Sequence, residues 1–326
     1  MLIMPVDFNR MRACLWLLNL AMAVLTAVWM RAAGLSLAIA SAVLPALSCA
    51  VLEGLATFYS TRRPEPRFAV SLSGLAQIIA FSASAALLSY AVAATGGPLW
   101  DGTFEAADRS LGLDWLAYLH GFNDHPRLSL LLSLAYRSLM PQMIVLVIVL
   151  GFGGHLRAVP QVALAFMIAA LTTVLISGLV PAVAMFVHLG LRPENFPGLN
   201  PTAAYVHLAH LTGLRDGTLR VISLDQVEGI ITFPSFHAAL GVLFMRYFWI
   251  SKMTRWPGLA LNAMLIAATP IDGGHYFVDV GAGAVIAVAA IAIAGRVSRS
   301  VGRTDSRPEC DARPVRLGDG VAPRWS

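Results

Sequence analysis

An all-α, polytopic membrane bundle is the fold class predicted by this 326-residue chain, on three observations. Hydrophobic residues make up 57% and charged residues only 13%, with a mean hydropathy of +0.71, whereas soluble domains carry about 25% charge. Stretches free of Asp, Glu, Lys and Arg recur at the length a bilayer core demands, roughly 20 residues of helix, because unpaired backbone cannot be satisfied in lipid. The charges gather between those stretches. Too much apolar surface is present for a disordered chain. Cys14, Cys49 and Cys310 lie far apart in sequence and suggest neither a disulfide framework nor a Cys-Cys zinc site. A single lysine, Lys252, stands against 22 arginines at a net charge of +5, a bias of base composition that implies no nucleic-acid partner.

Eight spans follow in order. Residues 13–30 and 32–52 form a hairpin within an N-terminal unit, residues 1–67. The first stretch is long for a cleaved signal peptide, and another follows at once, so it reads as an anchor. Residues 68–100, 128–154 (interrupted by Arg137), 158–191, 234–250, 256–271 and 276–295 supply the membrane-embedded core, residues 68–295. Residues 296–326 are polar and Pro-bearing, the composition of a disordered tail.

Positive residues accumulate on the cytoplasmic side of membrane proteins. Arg10 and Arg12, the 62–67 loop, Arg157, Lys252 with Arg255, and the tail together hold 15 of the 23. Both termini are therefore expected in the cytoplasm, the tail being cytoplasmic, and two long loops, 96–127 and 190–233, on the opposite face. In a bacterium that membrane would be the inner one, and the opposite face periplasmic.

Two short segments carry chemistry. Pro234-Ser235-Phe236-His237 precedes an uncharged helix, and proline is favoured in a first helical turn, so Ser235 and His237 are expected at a helix N-terminus whose amides and dipole attract an anion. The competing reading is a plain cap beside an interfacial histidine. Asp272-Gly273-Gly274-His275-Tyr276-Phe277-Val278-Asp279 opens the last span. A helix starting near Gly274 would place His275 and Asp279 on one face, where the carboxylate holds one ring nitrogen and the other points outward, the base-and-orienter pattern of a triad. A structural His-Asp bridge between spans is the alternative. Asp279 is costly at the edge of a span, which makes it a functional candidate. By the charge-derived topology both histidines lie at the non-cytoplasmic face. Two histidines and one carboxylate, without Cys or an HExxH helix, make a poor zinc site.

These motifs, their two histidines 38 positions apart, resemble the second and third signatures of the type-2 phosphatidic acid phosphatase superfamily. Thr269 and the phrase His-Tyr-Phe-Val-Asp-Val-Gly-Ala-Gly are most similar to the inositol phosphorylceramide synthase branch and its bacterial relatives. The resemblance implies a six-helix phosphatase-type core, His275 as nucleophile forming a phosphohistidine, Asp279 fixing its tautomer, His237 protonating the leaving oxygen, and Ser235 binding phosphate. It implies no metal and no other cofactor. The family's first motif has a lysine seven residues before Arg-Pro; Arg192-Pro193 is present, but position 185 is Met. Its third motif has Ser-Arg where this chain has Ala268-Thr269. Arg192, and Arg137 set ten residues into its span, are the candidates to supply the missing positive charge; a structural pairing or snorkelling of Arg137 competes. His207 and His210 read as surface residues, and Gly281 and Gly283 as sites of close helix packing.

The expected activity is cleavage or transfer of a phosphoryl group on a lipid phosphate drawn from the bilayer, with water or an alcohol such as an inositol or sugar hydroxyl as acceptor. A membrane transporter or scaffold without catalysis is the alternative; it would not need His237, His275 and Asp279 on one face.

Overall fold

The computed structural model describes residues 8–199, 201 and 203–304. The chain is an all-α membrane bundle: α1 (Phe8–Ala32), α2 (Ile39–Thr61), α3 (Pro66–Ala93), α4 (Asp101–Ser110), α5 (Trp115–Asn123), α6 (Pro126–Arg137), α7 (Leu139–Phe152), α8 (Ala158–Leu179), α9 (Met185–His188), α10 (Ala203–Val206), α11 (Leu208–Asp216), α12 (Phe236–Phe248), α13 (Arg255–Asp272) and α14 (Phe277–Thr304). Among the described residues, α1, α2, α3, α8 and α14 are long and apolar enough to cross a bilayer singly. α6 and α7 form a sixth crossing bent by 57°. The expected spans at 234–250 and 256–271 are the 13-residue α12 and the 18-residue α13. At 1.5 Å per residue α12 is only about 20 Å long, less than a bilayer core.

α3 and α8 form the middle of the bundle, and the core gathers where α7, α12 and α14 close around them; Leu88, Leu146, Val162, Leu243 and Phe244 are fully buried there. The N-terminal hairpin packs on α3 and is stapled internally: Glu53 accepts from Arg12 Nε at 2.6 Å and from Trp16 Nε1 at 2.8 Å. Outside the helices, Ser36–Leu37 (β1) pairs in parallel with Val221–Ile222 (β2), so the α1–α2 turn and the second long loop lie at the same end of the molecule.

The structure departs from the sequence expectation at three places. The stretch 158–191 is no single helix: α8 ends at Leu179, because Pro181 cannot continue it and the Val183 amide is taken by Asp101, at 3.0 Å. The stretch 68–100 is helical only to Ala93. At the other end α14 runs past residue 296 to Thr304, since arginine and serine are tolerated in a helix and no proline intervenes before Pro308. The rest of the expected tail, 305–326, lies outside the described residues.

Candidate active site

Two helix starts meet here, those of α12 and α14. α12 begins at Phe236 with Ser235 as its N-cap, the serine hydroxyl accepting from the Ala238 amide at 3.3 Å. Pro234 therefore precedes the cap rather than opening the helix. The Phe236 and His237 amides, next in the turn, hold no hydrogen bond among the described residues. The two helices are locked together by Gly283, on which a Cβ would sit 2.2 Å from the Ser235 carbonyl oxygen, and by the Ser235 amide donating to the Asp279 carbonyl at 3.1 Å. Gly281, by contrast, faces open space and performs no such packing.

α14 begins at Phe277, not near Gly274, so His275 is a loop residue ahead of the helix. The His275–Asp279 pair forms nonetheless: Nδ1 lies 3.3 Å from Asp279 Oδ2, which also accepts from the Tyr276 amide at 2.9 Å. A carboxylate three residues into a helix reaching back to the amide before it is half of a capping box. The other oxygen, Asp279 Oδ1, is buried without a hydrogen bond. The 273–276 loop is held from three sides. Trp115 Nε1 donates to the His275 carbonyl at 3.1 Å, the Met185 amide donates to the Gly274 carbonyl at 2.8 Å, and Gly274, at φ +66°, has no room for a side chain against Ala184 and Ala204. His275 is only 3% exposed, and burial pushes its imidazole down to about 4, partly opposed by the Thr232 carbonyl; the ring is neutral at pH 7.

His237 comes to this pair through Tyr136. Its ring stacks on Tyr136, centroids 4.2 Å apart and planes 8° from parallel, and its Nδ1 lies 3.4 Å from Tyr136 Oη. A Cβ on Gly273 would be 2.6 Å from His275 Cδ2 and 2.8 Å from Tyr136 Oη, so the tyrosine hydroxyl and the His275 ring converge over that glycine.

Three further acidic groups build the site's wall, and nothing local in the sequence marked them. Asp108 accepts from the Phe277 and Val278 amides at 2.8 and 2.9 Å and so caps α14 from α4. Burial raises its carboxyl above the usual range, and the two amides pull it back. Asp101 accepts from Val183 and from the Tyr276 hydroxyl at 2.9 Å, and Glu105 meets His188 at 2.8 Å. Their distance in sequence from residue 275 hid them.

The two arginines do not join the histidines. Arg192 is exposed beyond α9, and among the described residues no hydrogen bond or ion pair links it to the cluster. Arg137 is exposed at the α6–α7 break rather than buried in a span, and lines a separate cleft of about 230 Å³ with Ser133 and Asp272, themselves 2.5 Å apart. Nor are the loop histidines superficial. His207 is 3% exposed with Nε2 3.0 Å from the Val183 carbonyl, and His210 Nδ1 is 2.6 Å from Tyr90 Oη, so both anchor the second long loop.

The arrangement offers a neutral imidazole oriented by a carboxylate, a second imidazole beside it, and a helix start with open amides: parts suited to phosphorus chemistry. A family model described as the PAP2 superfamily matches residues 103–293, from within α4 to within α14. No curated protein and no solved structure matches the chain.

Proposed function

The chain belongs to the PAP2 superfamily of phosphatases and phosphotransferases, and from that premise we propose that it is a membrane-bound lipid phosphatase or phosphotransferase working through a phosphohistidine. The observation that carries the reading is the contact of His275 with Asp279, with His237 brought to the same place by Tyr136. With Nδ1 engaged by the carboxylate, Nε2 is the nitrogen left to attack phosphorus. As the N–P bond forms, the P–O bond to the lipid alcohol breaks and that oxygen takes a proton from His237. Water then regenerates the enzyme in a phosphatase; an alcohol such as an inositol or sugar hydroxyl does so in a transferase. The missing motif cations, Met185 and Thr269 in their places, accord with the inositol phosphorylceramide synthase-like branch, and phosphate charge falls to the imidazoles and the α12 amides. Lipid substrate enters sideways from the bilayer, its apolar chains staying in lipid.

Labelling the phosphoenzyme tests the mechanism. A lipid phosphate carrying ³²P should leave acid-labile label on His237→Ala and none on His275→Ala, with turnover abolished in the latter for every substrate. Label persisting in His275→Ala, or turnover without label in any variant, overturns the covalent route.

The site is assigned to the non-cytoplasmic face on the arginine distribution. In protein with Cys14, Cys49 and Cys310 replaced by alanine, Glu194→Cys should react with an impermeant thiol reagent in intact cells and Arg63→Cys only after lysis. Both positions are exposed. Reaction of both from one side refutes the topology.

A further inference from the structure

Arg137, which stands apart from the histidines, shares its cleft with a carboxylate. That cleft, about 230 Å³ in volume, lies between α6, the end of α13 and the 197–199 turn. Ser133 and Arg137, four residues apart on α6, line it from one side, and Asp272, the last residue of α13, lines it from the other. Ser133 Oγ donates to Asp272 Oδ1 at 2.5 Å. Asp272 is only 8% exposed, yet its second oxygen accepts no hydrogen bond among the described residues and, unlike Asp279 Oδ1, is not sealed off. Arg137 likewise makes no hydrogen bond or ion pair among the described residues. The 197–199 turn forms a fixed lip: the Gly198 amide donates to Asn123 Oδ1 at 3.1 Å, and a Cβ there would sit 2.2 Å from the Asn123 carbonyl oxygen. The cleft therefore opens at the level of the second long loop, where a water-soluble molecule has access.

The chemistry of the lining selects an occupant. One carboxylate and one guanidinium sum to no net charge. An anion would meet Asp272, a cation would meet Arg137, and a hydrocarbon chain would strip water from both with nothing in return. Hydroxyls both donate and accept, so neighbouring hydroxyls of one molecule can donate to the free oxygen of Asp272 and accept from Arg137, with a C–H face against Phe122. The volume is that of about seven waters, enough for a small head alcohol and below the range of pockets that enclose larger ligands. The cleft also backs on the reaction centre. Gly273 follows Asp272 and Tyr136 precedes Arg137, and a Cβ on Gly273 would lie 2.8 Å from Tyr136 Oη and 2.6 Å from His275 Cδ2.

We propose that this cleft binds the acceptor alcohol, a neutral polyol, and so makes the protein a phosphotransferase. The proposal rests on the phosphohistidine reading above. In the transfer step a polyol oxygen forms the new P–O bond as the P–N bond to His275 breaks, and the hydroxyl proton passes to His237, which is neutral after the first step.

Partition of the phosphoenzyme between polyol and water tests this, because both products leave the same intermediate and their ratio does not depend on how fast it forms. Purified full-length protein in detergent receives phosphatidic acid carrying ³²P together with glycerol, myo-inositol or glucose, and separately with propanol at the same hydroxyl concentration. Label should pass to at least one polyol as its phosphate ester, in about tenfold excess over propyl phosphate. Arg137→Gln, and Asp272→Asn, which keeps an acceptor for Ser133, should each lower the ratio of polyol phosphate to inorganic phosphate about tenfold, as expected when a hydrogen bond to a charged group is lost. Leu130→Trp, on the cleft wall and 61% exposed, should lower it as well by filling the space while leaving both charges in place. Inorganic phosphate as the sole product with every polyol, equal transfer to propanol, or an unchanged ratio in the variants overturns the proposal and leaves the phosphatase reading intact. Wild-type protein that neither takes up label nor releases phosphate overturns both.

Discussion

The starts of α12 and α14 lie side by side and are built oppositely. α12 is capped by a neutral hydroxyl on the Ala238 amide, and among the described residues the Phe236 and His237 amides ahead of it hold no hydrogen bond. α14 is saturated with carboxylate: Asp279 on Tyr276, and Asp108 on Phe277 and Val278. Both helix starts carry the same positive end of a dipole, worth about half a unit charge. At α14 it is cancelled by the protein itself, and one of the two carboxylates that do so, Asp279, also holds His275. At α12 it remains available to an anion. Under the proposed mechanism, a phosphate between the two would have one favourable end to face, with His275 on the other side. The difference teaches that two adjacent helix starts can be finished oppositely, one neutralised by carboxylates and one left open, which is what the proposed mechanism would use in place of the absent cations.

The largest effect is expected from breaking the α14 side. Asp279→Asn retains an oxygen for the Tyr276 amide and loses the negative partner of His275, so kcat should drop by about 10³ to 10⁴, as when a triad aspartate is made an amide, with the melting temperature in detergent little changed. Retention of a tenth of wild-type turnover would show that His275 needs no carboxylate. Asp108→Ala should act on stability first. Two amides lose their acceptor, at about 1–3 kcal/mol for each one left buried and unpaired, so the melting temperature should fall by several degrees and Asp108→Asn should recover part of it. An unchanged melting curve would mean that α14 starts equally well without α4. The smallest effect belongs to Ser235→Ala, where a lost cap costs about 1 kcal/mol and kcat should stay within about threefold. A tenfold fall in kcat with no change in melting would instead place the Ser235 hydroxyl on the substrate and make the two helix starts more alike than their caps suggest.

How much of this was legible in advance depended on range along the chain. His275 and Asp279 are four residues apart, and Ser235 and His237 two, so local geometry sufficed to pair them with a helix start. The register was two or three residues off at α14, since the capping carboxylates that set its first turn include Asp108, 169 residues from Phe277. Arg137 was singled out for its charge, yet the 57° break turns its neighbour Tyr136 inward, and no periodicity across residues 128–154 announces that break. His207 and His210 looked superficial until the second long loop folded over Val183 and Tyr90.

The sequence by itself determined that the chain is a membrane bundle, where its apolar segments lie, and which two histidines and one aspartate form its motifs, because lipid imposes length and composition on each segment separately and a helix turn imposes spacing over four residues. Only the tertiary structure decided which carboxylates close α14, which aromatic ring rests on His237, and that the arginines stand apart from the cluster. Asp108 on α14 and Tyr136 on His237 are contacts between residues a hundred or more apart, and the place of Arg137 is a direction fixed by how one helix breaks against another; neither is written in any local run of residues.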